Sequence, residues 1–244
     1  MESLASGDPL AVAVTAAIRG GDPAGLRRLL DRHPGLAAVR IVQRGAGAGR
    51  RSLLHIATDW PGRYPRAAEV IRTLVAAGAD PGARFVGAHA ETPLHWAASN
   101  DDVAAIDALV AAGADIEAPG AVLGGGAPLA DACGFGQWQA ARRLLDHGAR
   151  PSLQDAATLG LLDRVEEFLA AGVSAEDVTI ALWGACHGGR LPTARYLLSQ
   201  GADIDWIGYD GLTPLDMALA SKNADLTAWL TACGAHTRAE LPPG

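Results

Sequence analysis

The chain ends a helix in the same way six times. Leu-Val-Ala-Ala-Gly-Ala occupies 74–79 and again 109–114, followed by Leu-Leu-Asp-His-Gly-Ala at 144–149 and Phe-Leu-Ala-Ala-Gly-Val at 168–173. Leu-Leu-Ser-Gln-Gly-Ala follows at 197–202, and a looser Trp-Leu-Thr-Ala-Cys-Gly-Ala closes the series at 229–235. Each phrase is an apolar helix end followed by glycine, which takes the left-handed conformation past a helix terminus without a Cβ penalty. The glycines stand at 78, 113, 148, 172, 201 and 234, in steps of 35, 35, 24, 29 and 33. Self-similarity at this period means small supersecondary units that bury their apolar faces on one another.

A second phrase opens the units. Its clearest copies are Glu-Thr-Pro-Leu-His-Trp-Ala-Ala at 91–98 and Leu-Thr-Pro-Leu-Asp-Met-Ala at 212–218. Thr92 and Thr213 suit a helix N-cap, and Pro93 and Pro214 suit the first helical position, where a missing N–H costs nothing. Degenerate copies lie at 51–58, 127–133, 152–157 and 180–186. Ala57, Ala97, Ala132, Ala156, Ala185 and Ala218 share one register with steps of 40, 35, 24, 29 and 33, which track the glycine steps. Two landmarks in one register define a repeat.

The pattern Thr-Pro-Leu-His, Ala-Ala, Leu-Leu, Gly-Ala-Asp resembles the ankyrin repeat, across roughly 9–236 of the 244 residues. The copy at 91–115 is highly specific and that at 211–235 nearly so. The resemblance implies an all-α repeat solenoid of stacked helix-turn-helix units with β-hairpin fingers. It divides a single domain, 1–244, into about seven units: an N-terminal cap at 9–46, then 47–85, 86–120, 121–150, 151–174 and 175–207, a C-terminal cap at 208–236, and a tail at 237–244. The first unit lacks the Thr-Pro opening, as suits a cap with one face in water. Three departures stand out: an insertion around Asp59–Pro65, a long Gly-rich finger at 116–127, and a fifth unit about nine residues short, which predicts a missing hairpin.

Composition narrows the function. Positive charge is nearly all arginine, the formal net charge is −7, and no basic run resembles a nucleic-acid footprint, so nucleic-acid binding is not expected. The apolar start from Pro9 to Ile18 is too short to span a bilayer and follows no positive segment, so no membrane association is expected. Cys133, Cys186 and Cys233 form no CxxC, which leaves zinc and redox motifs without support and suits a reduced, cytoplasmic protein.

Candidate chemistry is sparse. His55 and His95 stand at the histidine of the opening phrase, where the resemblance implies hydrogen bonds that tie neighbouring loops. His187 beside Cys186 suggests a nucleophile pair, yet Cys186 aligns with Cys133 and Ala98 at a small buried site, where thiols are inert. Gly-Ala-Gly-Ala-Gly-Arg-Arg-Ser at 45–52 has neither the spacing nor the lysine of a phosphate loop and reads as a finger, as does the triple glycine at 124–126. No catalytic motif stands in a supporting context, so no cofactor or metal is expected.

Aromatic residues make up only 5 %, so their positions inform. Trp96 and Trp138 are expected to pack between units. Trp183 replaces the opening-phrase histidine and either plugs the core or faces the groove. Trp60 and Phe135 follow the alanine pair on the inner helix face, and Trp206 and Tyr209 lie in the finger before Thr213. The resemblance puts these four, with His187, on the concave binding face, where exposed aromatic residues serve as hot spots. The alternative is that they fold back and brace the fingers. Acidic residues at 101, 102, 115, 117, 203, 205 and 210 read mostly as caps and turn formers; the alternative is that together they bias the concave face negative and favour a basic partner.

The resulting expectation is a non-enzymatic, monomeric scaffold that binds an unidentified protein partner through its groove and fingers. The alternative is a small-molecule-binding or catalytic protein that uses a closed pocket of Trp60, Phe135, Trp183 and His187. A third reading, a neutralising partner of a nearby-encoded effector, has the same sequence signature as the first.

Overall fold

The computed structural model describes residues 3–45, 48–122 and 124–242. Three expectations extend beyond these limits: part of the Gly-rich stretch at 45–52, one residue of the finger at 116–127, and the end of the tail at 237–244. Among the described residues are fourteen α-helices in seven consecutive pairs, grouped into two compact units, Met1–Arg150 and Pro151–Gly244. The helices run from 6 to 13 residues, too short to persist alone in water, so tertiary packing must hold them.

In the first unit the pairs are α1 (Pro9–Arg19) with α2 (Pro23–Arg32), α3 (Leu53–Thr58) with α4 (Ala67–Ala76), α5 (Pro93–Ser99) with α6 (Val103–Ala111), and α7 (Pro128–Gly134) with α8 (Trp138–Asp146). The first helices of the pairs form one row, α1 on α3 on α5 on α7, and the second helices form the other, α2 on α4 on α6 on α8. The second unit pairs α9 (Leu153–Leu159) with α10 (Leu162–Ala170), α11 (Ala175–His187) with α12 (Leu191–Ser199), and α13 (Pro214–Ala220) with α14 (Ala224–Ala232). Here α9, α11 and α13 make one row and α10 packs on α12. Leucine and alanine fill both interiors: Leu94, Leu129, Leu144 and Ala97 are fully buried in the first, and Leu182, Leu197 and Ala185 in the second.

The repeated phrases act as their chemistry requires. After α4 and α6 the glycines Gly78 and Gly113 have φ of 95° and 86°, and Ala79 and Ala114 donate back to Leu74 and Leu109 O at 3.0 Å. This six-to-one closure satisfies carbonyls that the helix end would orphan. At the openings, Thr213 N–H donates to Asp216 Oδ2 at 2.9 Å while Asp216 N–H donates to Thr213 Oγ1 at 3.3 Å. Ser152 with Asp155 and Ser174 with Asp177 repeat this reciprocal box.

The departures from regularity also have physical form. Only Ala171–Ser174 link α10 to α11, and α11 begins early, so helix replaces the missing hairpin. The fingers are less regular than expected. Strands Arg40–Gln43 (β2) and Gly49–Ser52 (β3) pair antiparallel, and one further bridge joins Arg50 to Val86. The other fingers are turns and extended loops among the described residues. Ser3–Ala5 (β1) pairs parallel with β2, giving a three-stranded sheet that the repeat pattern does not contain. No helix among the described residues is long and apolar enough to cross a membrane.

Candidate partner-binding surfaces

The groove of the first unit is built from three successive pairs. In α3, Ser52 N–H donates to His55 Nδ1 at 3.3 Å, which leaves the proton on Nε2 to donate to Glu91 O at 3.1 Å. One unit later, Thr92 N–H reaches His95 Nδ1 at 3.1 Å, and His95 Nε2 reaches Gly126 O at 3.3 Å. Each imidazole thus ties its own cap to the next finger. Burial holds both neutral, with pKa values pushed down to about 3 for His55 and about 4 for His95. These histidines are structural.

Trp96 sits beside this tie. Its ring meets the edge of His55 at 4.9 Å and Phe85 at 5.4 Å between centroids, and the Arg51 guanidinium lies 5.4 Å over it. Its indole also hydrogen-bonds the Glu91 carboxylate, which is 8 % exposed and held above the usual carboxylate range by burial. Trp60 and Phe135 line the same groove, of about 480 Å³, with Trp96, Glu91 and Asp59. They present 79 % and 46 % of their surface to solvent. Asp59 takes salt bridges from Arg19 at 2.7 Å and Arg51 at 2.8 Å, so its charge is compensated locally.

The insertion that carries Trp60 is bolted down. Arg63 N–H donates to Asp102 Oδ2 and its guanidinium to Asp101 Oδ2, both at 2.8 Å. Asp102 also caps α6, and Asp101 accepts Ala140 N–H at 2.7 Å, so these acids act as caps and cross-ties. Asn100 Nδ2 donates to Thr58 O at 2.8 Å under the same loop.

In the second unit, Trp206, Tyr209 and His187 gather around Trp183. Tyr209 meets Trp183 edge-on at 5.4 Å and Trp206 at 6.1 Å, while His187 stacks on Trp183 at 5.8 Å. Trp183 is buried and donates its Nε1–H to Leu212 O at 3.1 Å, so it plugs the core and braces the finger. Tyr209 and Ile207 keep exposed faces on that finger. The surrounding charge is acidic: residues 151–244 hold twelve Asp and Glu against five Lys and Arg, so the whole formal charge of −7 falls on this unit. Cys186 is buried among helices with its thiol pushed up to about 12, an unreactive setting.

The five contact residues read from sequence therefore form two sets, Trp60 with Phe135 and Trp206 with Tyr209 and His187, in different compact units. Trp138 corrects an expectation. It is 38 % exposed, because it begins α8 and stands outside the helix contacts that Ala140, Ala141 and Leu144 make. Sequence reasoning missed Glu91 as a groove residue and Arg51 as the cation over its Trp96 wall. The available signal was their shared position, each immediately before a cap residue, Thr92 and Ser52.

Helix pairs closed by glycine caps and tied by opening-phrase histidines are the repeat units of a solenoid, and in the first unit they present a side-chain groove. The family model for ankyrin repeats matches residues 54–155 and 153–240, and the chain belongs to the ankyrin repeat family. The chain is 27 % identical over 165 residues to the ankyrin repeat and KH domain-containing protein mask-1 of Caenorhabditis elegans. That match covers 63 % of this chain but only 6 % of the relative. The ankyrin repeat domain of human ASB11 superposes with a TM-score of 0.52 at 20 % identity, covering 95 % of this chain and 99 % of that one, a likeness of fold. Ankyrin repeats are in general protein-interaction modules and typically non-enzymatic.

Proposed function

We propose that this chain is a protein-binding scaffold whose partner docks on the grooves and fingers that carry Trp60 and Phe135 in the first unit and Trp206, Tyr209 and His187 in the second. The observation that carries this reading is the groove of the first unit. Large aromatic side chains stand exposed in a groove whose Trp96 wall is backed by Phe85 and His55, the arrangement from which interface hot spots are made. In the second unit Trp206 and His187 support the finger, and Tyr209 with Ile207 makes the contact. The same reading takes the chain as one monomeric domain in a reducing cytoplasm, where thiols persist.

Affinity capture from a cell lysate, with mass spectrometry, would name the partner. The Trp60→Ala/Phe135→Ala and Trp206→Ala/Tyr209→Ala double variants would then each be measured against it. Each lost pair is expected to weaken binding by about tenfold or more. Unchanged affinity in both variants would overturn the assignment of these surfaces.

A further inference from the structure

Glu91 has no function in the fold that requires its charge. Its backbone does the structural work: the carbonyl accepts Phe85 N–H at 2.8 Å and His55 Nε2–H at 3.1 Å. The side chain meanwhile is 8 % exposed, lines the groove beside Trp96, whose indole donates to the carboxylate, and makes no salt bridge among the described residues; Arg51 lies over the Trp96 ring and is spent on Asp59. Burying a carboxylate without a cation is costly. The two charged side chains lining this groove, Asp59 and Glu91, are both acidic, and Asp59 is already matched by Arg19 and Arg51. Glu91 is the one left unmatched.

The remaining walls suit a cation. Trp60, Trp96 and Phe135 line the groove, Arg51 already lies 5.4 Å over Trp96, and a guanidinium or ammonium is attracted to aromatic rings most strongly where water is partly excluded. A neutral donor would gain less from Glu91 than a cation, and an acidic side chain would be repelled. Building on the scaffold reading above, we propose that this groove takes a basic side chain of the protein partner, with its cationic end against the three aromatic rings and the Glu91 carboxylate as counter-charge. The partner surface that fits is therefore one that presents an exposed arginine or lysine.

The test uses the full chain and small probes. The isotope-labelled protein is titrated with N-acetyl-Gly-Arg-Gly-amide, its lysine analogue, its citrulline analogue and choline, while the tryptophan indole N–H signals are followed by NMR. The arginine and lysine peptides should shift the Trp60 and Trp96 signals saturably, and the uncharged citrulline peptide should bind about tenfold more weakly. Glu91→Gln keeps an acceptor for the Trp96 indole and should weaken the basic peptides by about tenfold while leaving the circular dichroism spectrum unchanged. Equal binding of the citrulline peptide, no shift with any basic peptide, or an unaffected Glu91→Gln variant would overturn the proposal. Choline binding more tightly than either peptide would also overturn it, in favour of a free organic cation. Partner capture separates the two readings: loss in Trp60→Ala/Phe135→Ala with none in Glu91→Gln would leave the scaffold standing without its basic ligand.

Discussion

Lowering the pH from 7.5 to 5.0 should destabilise the first unit through two buried histidines. His55 and His95 are fully buried and neutral, with pKa values moved from 6.5 to about 3 and about 4. Between those values and 6.5 the unfolded chain binds more protons than the folded one, so stability is complete above the unfolded pKa and falls as the pH drops. At pH 5.0 each imidazole contributes a loss of about 2 kcal/mol, together about 4 kcal/mol. Glu91, with its pKa raised, works in the opposite sense and offsets part of this. With a denaturant slope of about 2 kcal/mol/M, the urea midpoint of the first unit should drop by at most about 2 M. Urea unfolding followed by circular dichroism at the two pH values reads this directly. His55→Gln carries no charge at either pH and should remove about half of the pH-dependent loss. A wild-type midpoint that does not move, or a His55→Gln chain that keeps the full dependence, would refute the claim that these imidazoles are buried and neutral.

Other outcomes follow from packing. Leu94 is fully buried on α5, the helix that packs between α3 and α7, so Leu94→Ala should cost about 2–5 kcal/mol in the same unfolding assay. A Cβ added at Gly184 would lie 2.7 Å from Thr158 Oγ1 in the α9–α11 contact, so Gly184→Ala should cost about 1–3 kcal/mol, read as a lowered midpoint. In native buffer Cys233 should react with a thiol reagent while Cys186 stays protected until urea unfolds the second unit, as absorbance of the released reagent group would record.

Much of the fold was legible because its determinants are local. A glycine past a helix end and a hydroxyl before a proline act within one turn, so Gly78, Gly113, Thr92 and Thr213 marked boundaries without tertiary information. The short link at Ala171–Ser174 could likewise be read from spacing alone. Non-local features escaped. Ser3–Ala5 pairs with residues about forty positions away, and three residues carry too little alternation to announce a strand. β-Hairpin fingers were expected in all but the shortened fifth unit, but strand pairing depends on cross-strand partners, which among the described residues only the finger of β2 and β3 supplies in full. At the site, the exposure of Trp60 and Phe135 followed from their register after the alanine pair. The counter-charge did not: that Asp59 is matched while Glu91 is not depends on where Arg19 and Arg51 reach in space.

The insertion after α3 has a consequence for kinetics. A loop of that length would ordinarily sample many shapes, and a partner would have to freeze one of them on arrival. Here Arg63 clamps it to Asp101 and Asp102, and Trp60 N–H donates to Asp59 Oδ1 at 3.0 Å, so the backbone that carries Trp60 is held in place before any encounter. The entropy of fixing the loop is spent during folding, and association should be fast and insensitive to solvent viscosity beyond the diffusional limit.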